Sequence, residues 1–153
     1  MTSSIDQTDQ IDQTVTQHAG FAVVTRLLDQ IVAGEGIGAE LFAADVTLDA
    51  TVPNWRLTEV GPAAVSAQLS GWFADPASFE ALHRLAYSDG GVEGEIVEFT
   101  VRWQERGVPH AAHQTHHLTV VDGRIGADRA WCGGRWPAAL LAEMEAVNMA
   151  VTR

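Results

Sequence analysis

The spacing of apolar residues changes period partway along the chain. FAVVTRLLDQIV, Phe21 to Val32, sets Val24, Leu27, Leu28 and Ile31 at helical spacing. Gly34, Gly36 and Gly38 then loosen the backbone, and AELFAAD reads as a short second helical piece. VTLDATV alternates, with Val46, Leu48, Ala50 and Val52 on one face and Thr47, Asp49 and Thr51 on the other, the pattern of a half-buried strand. GPAAVSAQLSGWF returns to helical spacing. Pro62 suits a first turn, Val65, Leu69, Trp72 and Phe73 form the apolar stripe, and Asp75–Pro76 ends it.

From there the period is two. SFEALHRLAY has Phe79, Ala81, His83, Leu85 and Tyr87 on its more apolar face, and GEIVEFTVRWQ sets Val97, Phe99, Val101 and Trp103 against Glu98, Thr100 and Arg102. Arg106–Gly107 is a candidate tight turn into VPHAAHQTHHLTVV, and Asp122–Gly123 is a hairpin signal before the last strand, RIGADRAWC. PAALLAEMEAVNMAV reads as an amphipathic C-terminal helix over residues 137–150. Helices followed by a run of hairpin-linked strands predict an α+β fold with an antiparallel sheet. The polar, Thr/Gln/Asp-rich residues 1–17 are expected to form a loose arm, and residues 18–153 one domain.

Composition removes several classes of partner. A formal net charge of −11 with no basic stripe disfavours nucleic acid and anionic membrane surfaces. No apolar run approaches the roughly 20 residues of a membrane helix, and the N-terminus lacks a secretory signal's basic start and apolar core. The single cysteine, Cys132, excludes an internal disulfide and any multi-thiolate metal site, and fits a reducing cytoplasm.

Three pieces of sequence carry a resemblance: ELFAADVTLDATVP, the helix beginning GPAAV, and EFTVRWQERGVPHAAHQTHHLTVVDGRI. Together, over roughly residues 18–136, they resemble the nuclear-transport-factor-like superfamily. Its members include ketosteroid isomerases, SnoaL-type polyketide cyclases, scytalone dehydratase and limonene epoxide hydrolase. The resemblance implies a cone in which a strongly curved sheet wraps the N-terminal helices and leaves an apolar pocket at its open end. It also implies catalysis, where present, by inward-facing strand residues without a cofactor. The chain departs from particular members. Ala50 stands at the isomerase's general-base position and His116 at the aspartic acid of its oxyanion hole. Tyr87 does not match that hole's tyrosine, and Ala130 replaces the epoxide hydrolase's inward aspartate. Because this fold hosts many activities, function has to be argued from the site.

The segment HAAHQTHH holds four of the six histidines, which on a helix would suggest a metal clamp. Its strand-like flanks divide it instead. His110 and His116 share one face roughly 20 Å apart, and His113 and His117 share the other at roughly 13 Å, so neither pair chelates an ion and no metal site is expected. A two-residue turn at Arg106–Gly107 pairs Val97 with His116, Phe99 with Gln114 and Val101 with Ala112. That turns His116 and Gln114 inward and leaves His113 and His117 on the outer sheet face, where two cones can pair as a homodimer.

His83 is the second candidate, by its apolar strand face and by a position like that of a catalytic histidine in scytalone dehydratase. Asp128 is the third, and its direction depends on the Asp122–Gly123 turn. A two-residue turn pairs His116 with Arg129 and puts Arg129 and Trp131 inside. A three-residue turn with a bulge at Gly123 pairs His116 with Asp128, and the family pattern favours Asp128, Ala130 and Cys132 inward. A carboxylate beside an inward histidine orients its ring and favours its charged form.

Two functions are therefore open. One is a metal-independent isomerase, cyclase or dehydratase acting on an apolar, carbonyl-bearing molecule. There His116 is the acid–base, Asp128 orients it and His83 faces it across a pocket contacted by Gln114, Phe99, Trp72, Trp103 and Trp131. The other is a non-catalytic dimeric module that binds an apolar ligand or another protein. The enzyme reading in this form requires His83 and His116 to share a pocket within about 8 Å, so that one substrate touches both. Cys132 is expected to be an inert buried thiol. WCGGRW, Trp131 to Trp136, marks the end of the sheet and has no assigned chemistry.

Overall fold

A computed structural model describes residues 20–151. The expected arm over 1–17 lies outside the described residues. The first helix, α1 (Ala22–Ala33), buries Val23, Val24, Leu27, Leu28 and Ile31. It ends at Gly34, whose φ of 64° is left-handed and whose missing side chain leaves room for the backbone of Asp75–Pro76. AELFAAD is not a helix: a single 3₁₀ turn over Ala39–Leu41 leads directly into β1 (Phe42–Val52). An unpredicted hairpin follows. Asn54, at φ 63°, turns the chain into β2 (Trp55–Val60). The second helix, α2 (Pro62–Trp72), starts at Pro62 as expected.

The remaining strands are β3 (Ala77–Asp89), β4 (Val92–Glu105), β5 (Val108–Val121), β6 (Arg124–Cys132) and the short β7 (Trp136–Pro137), before α3 (Ala138–Val151). Among the described residues they form one sheet in the order β2-β1-β6-β5-β4-β3, with β7 added to the end of β5. The sheet is mixed rather than wholly antiparallel, because β1 pairs with β6 in parallel. Chain order explains this: β1 and β6 are far apart in sequence, so no hairpin constrains their relative direction. The fold class is α+β. Buried residues of α1 and α2 meet Val46, Leu48, Val97, Phe99, Leu118 and Ile125 on one face of the curved sheet.

Both predicted tight turns form, with positive φ at Arg106, Gly107, Asp122 and Gly123. Two one-residue irregularities between strands were not predicted. Between Phe79 and Ala81 the register of β3 against β4 slips by one. Phe79 stays inside against Phe99, at 5.1 Å between ring centroids, while the extra residue, Glu80, reaches Arg102 at 2.6 Å. Beyond this point the faces of β3 exchange. Arg84 turns inward and His83, Leu85 and Tyr87 turn outward, contrary to the reading from alternation. Between Thr119 and Val120 the register against β6 slips at Gly126.

Arg84 meets Glu95, a fully buried carboxylate that also accepts the backbone N–H of Phe21 at 3.1 Å. Glu95 therefore ties β3 and β4 to the first residues of α1, where a negative charge also suits the helix dipole. Gly94, next to it, faces outward. A side chain there would meet Leu118 O and the Tyr87 ring, so the glycine lets Tyr87 lie across the strand and donate to Leu118 O at 3.1 Å.

α3 lies over the outer side of the sheet near β5 and β7 and has no buried residue, so the expected amphipathic division into a buried and an exposed stripe is absent. Among the described residues no helix is long and apolar enough to cross a membrane.

Removing one partner of a buried ion pair leaves the other uncompensated, at a cost of about 3 kcal/mol or more. Arg84→Met, which leaves the fully buried Glu95 carboxylate uncompensated, should therefore lower the urea midpoint strongly, and Arg84→Met with Glu95→Gln should recover most of the loss. An unchanged midpoint in the single variant would refute the clamp.

Candidate functional site

Three side chains on the concave face form a hydrogen-bonded chain. His116 Nδ1 lies 2.9 and 3.0 Å from the two carboxylate oxygens of Asp128, and His116 Nε2 lies 3.0 Å from Gln114 Oε1. All three are buried, His116 to 2% and Asp128 to 1% exposure. His116 and Gln114 are neighbours on one face of β5 by alternation. Val97, Phe99 and Val101 pair with His116, Gln114 and Ala112 as the Arg106–Gly107 turn predicts. Phe99 stacks on the imidazole, with centroids 5.5 Å apart and planes 13° from parallel. Leu27, Leu28, Ile31 and Leu69 pack around the same void from the helices. The ring is thereby fixed in position and kept from water.

Asp128 reaches His116 by a route the sequence did not show. The Asp122–Gly123 turn has two residues, pairing Val121 with Arg124 and Val120 with Ile125. The slip at Gly126 then pairs Leu118 with Asp128 and His116 with Ala130. Neither register considered from the sequence forms, yet the one-residue slip still turns Asp128 and Ala130 inward. Asp128 lies diagonally across from His116, a separation that long side chains bridge. Arg129 and Trp131 consequently face outward. Trp131 is 46% exposed and shares the outer surface with Asp49, Thr51, Arg56 and Arg129 rather than lining a substrate pocket. Asp49 is also on that surface, where its hydrogen bond to Arg56 holds its carboxyl below the usual carboxylate range.

His83 does not join the site. It is exposed on the outer face and pairs with Glu98, while His116 lies in the core behind the sheet. The pairing of two histidines across one pocket is overturned by the extra residue at Glu80. The other three histidines of HAAHQTHH also separate. His113 contacts Thr100 at 3.0 Å, His117 meets the edge of Tyr87 at 4.8 Å, and His110 stacks on Trp103 at 5.5 Å. Among the described residues no group of three or more His, Cys, Asp or Glu comes together to hold a metal ion.

The cavity of the cone, about 250 Å³, opens beyond Gln114. Its walls include Trp72, Phe73, Val101, Trp103 and Ala112, with Gln114 at the inner end. Trp72 and Trp103 are therefore wall residues. Phe99 and His116 are not; they lie one layer deeper, behind Gln114. The sequence reading missed much of the rim. Val52 and Pro53 arrive with the β1–β2 hairpin, Asp75 with the end of α2, and Cys132, Gly134 and Arg135 with WCGGRW. That motif lines the cavity. Cys132 is half-buried on the wall and not sealed in the core, and the Gly134 N–H points to its sulfur at 3.4 Å. Arg135 lies over the Trp103 ring at 4.9 Å and pairs with Glu105. Its unusual composition was the available signal.

A curved α+β sheet closed by two helices, with an apolar cavity at its open end, defines a cone-type pocket protein. No sequence-family model and no curated protein matches the chain. Solved structures do. A nuclear-transport-factor-2-like protein of unknown function from Mesorhizobium loti is 20% identical, with a TM-score of 0.56 over 73% of this chain and 88% of that one. An epoxide hydrolase/cyclase-like enzyme of pyran ring formation in the polyether salinomycin is 16% identical, with a TM-score of 0.57 over 72% and 88%. A Bacillus subtilis protein provisionally described as an isomerase is 15% identical, with a TM-score of 0.56 over 72% and 84%. The chain has the cone fold of the nuclear-transport-factor-like superfamily, and at these identities the likeness concerns fold.

The dyad can be tested for coupling. His116→Phe and Asp128→Leu should each destabilise by about 2 kcal/mol or more, since each leaves a buried polar partner unsatisfied. The double variant should cost clearly less than their sum. Additive losses in urea unfolding would show that the two side chains do not act together.

Proposed function

We propose that the protein binds an apolar small molecule in the cone cavity and acts on it as a metal-independent proton-transfer enzyme. The class is that of an isomerase, cyclase or dehydratase of a carbonyl-bearing substrate. The observation that carries this reading is the Asp128–His116–Gln114 chain, which ends at the inner wall of an open apolar cavity. Such cavities, apolar with a few convergent polar groups, suit small ligands. A volume of about 250 Å³ fits a molecule of one or two rings.

In this proposal Asp128 fixes the imidazole and His116 is the acid–base: its Nε2 donates a proton to the carbonyl oxygen of the bound substrate, and the neutral Nε2 then takes one from the neighbouring carbon. Gln114 stands between that nitrogen and the cavity. Proton transfer requires its side chain to turn aside, so Gln114 both contacts the ligand and gates the histidine. His83 has no part. A second reading, a non-catalytic binding module, is favoured by a specific observation: both ring nitrogens of His116 are already bonded within the protein. The lone thiol supports a reducing compartment such as the cytoplasm.

A thermal-shift screen of small apolar ketones tests the shared part, because a ligand of the native state raises the melting temperature. No shift with any of them would refute the cavity as a binding site. For a ligand that binds, His116→Ala should lower turnover by about 10²- to 10⁴-fold while binding persists. Equal conversion by the variant would leave binding without catalysis.

We also infer a homodimer formed through the outer sheet face, supported by exposed Leu85 and Trp131 on that face. Light scattering should give twice the chain mass, and Trp131→Glu should shift it toward the monomer. A monomeric mass for the unmodified chain would exclude this assembly.

A further inference from the structure

Gln114 holds one end of its amide on His116 and presents the other to the cavity. Its Oε1 faces the ring at 3.0 Å, while its Nε2 has no hydrogen bond to any described residue. Among the described residues no buried side-chain nitrogen or oxygen lacks a partner, and Gln114 lines the cavity wall. The free end therefore meets the cavity.

A carboxamide has a donor end and an acceptor end of nearly equal size, and a half-turn about its last torsion exchanges them. The number of protons on His116 decides which end faces the ring. Nδ1 is within hydrogen-bond distance of both Asp128 oxygens and carries a proton in either state. If Nε2 also carries one, it donates to Gln114 Oε1 and the NH₂ group points into the cavity. If Nε2 is bare, it accepts from the NH₂ group and Oε1 points into the cavity. The wrong orientation would set two donors or two acceptors face to face in a dry site.

We infer that Gln114 determines the ligand specificity of the cavity and that the protonation of His116 sets its polarity. With an imidazolium, the cavity takes an apolar ligand bearing a hydrogen-bond acceptor, such as a ketone. With a neutral ring, it takes an apolar ligand bearing a donor, such as an aromatic N–H. This rests on the reading of the cavity as a small-molecule site and adds the chemical class it selects.

The surroundings isolate the switch. α1, α2 and β4 present only apolar side chains to the ring, among them Leu27, Leu69, Phe73, Val97 and Phe99, and β6 presents Asp128. The next charges on the concave face, Glu95 and Arg84, are bonded to each other. Around the free end of Gln114 the cavity wall carries Asp75, Cys132 and Arg135, the last paired with Glu105. His110 stacks on Trp103 at the rim.

Three bicyclic probes of similar shape separate the possibilities: 1-indanone offers only an acceptor, indole only a donor, and indane neither. Calorimetry on the full chain across roughly pH 5 to 8 reads their affinities. The ratio of 1-indanone to indole affinity should fall by about tenfold as pH rises, with indane unchanged. Gln114→Met should keep indane binding and lose the pH dependence. A constant ratio in the unmodified chain overturns the inference and leaves the cavity intact as a site. So does a pH dependence that survives in Gln114→Met, which retains Asp75, Cys132 and His110. Failure of all three probes to bind overturns the cavity reading together with the inference. Nitrogen-15 NMR of the His116 ring in the unliganded chain needs no variant and no ligand. A change from two ring protons to one over the same range supports the switch, and an unchanging count refutes it.

Discussion

The register of β5 against its two neighbours is the constraint on which the rest of the structure depends. Side chains on a strand alternate, so a slip of one residue sends an entire set to the other face. On the β4 side a two-residue turn sets Val97, Phe99 and Val101 beside His116, Gln114 and Ala112, all facing inward. On the β6 side one extra residue at Gly126 turns Asp128 inward and Arg129 outward. Without that residue, an arginine would enter the core next to a histidine with no carboxylate to meet either.

Burying a carboxylate and a histidine together is expensive unless both are hydrogen-bonded, and such pairs often contribute little net stability. Here every polar atom of the ring is used, by Asp128 on one side and Gln114 on the other, and Phe99 covers its face. The chain of hydrogen bonds runs from the sheet's interior to the cavity wall. A core chosen only for stability would need no such chain, and that is the physical ground of the proposed function.

The cavity is the part of the cone that the helices do not fill. Glu95 and Arg84 pin the start of α1 to β3 and β4, and Gly34 packs its end closely against Asp75–Pro76. The β1–β2 hairpin and the segment from Cys132 to Arg135 then form a rim around the open end. The rim comes from elements joined to the sheet by turns, and such segments vary most readily within one fold. That is consistent with solved structures that share the cone at low identity and carry different descriptions.

Much of the fold follows from local pattern. The helical stripe of α1, the Pro62 start of α2, the alternation of β4 and β5 and the positive-φ turns at Arg106–Gly107 and Asp122–Gly123 are nearest-neighbour properties of the chain, so the sequence by itself determined them. They were enough to place His116 and Gln114 on the inner face. Tertiary structure decided the rest, because a one-residue bulge carries almost no local signature and yet reverses every later side chain. Glu80 sends His83 to the surface because Phe79 must remain against Phe99 and Arg84 must meet Glu95. Gly126 brings Asp128 to His116 although the preceding turn alone predicts Arg129. Contacts across the sheet choose where a strand slips, and those contacts exist only once the chain has folded.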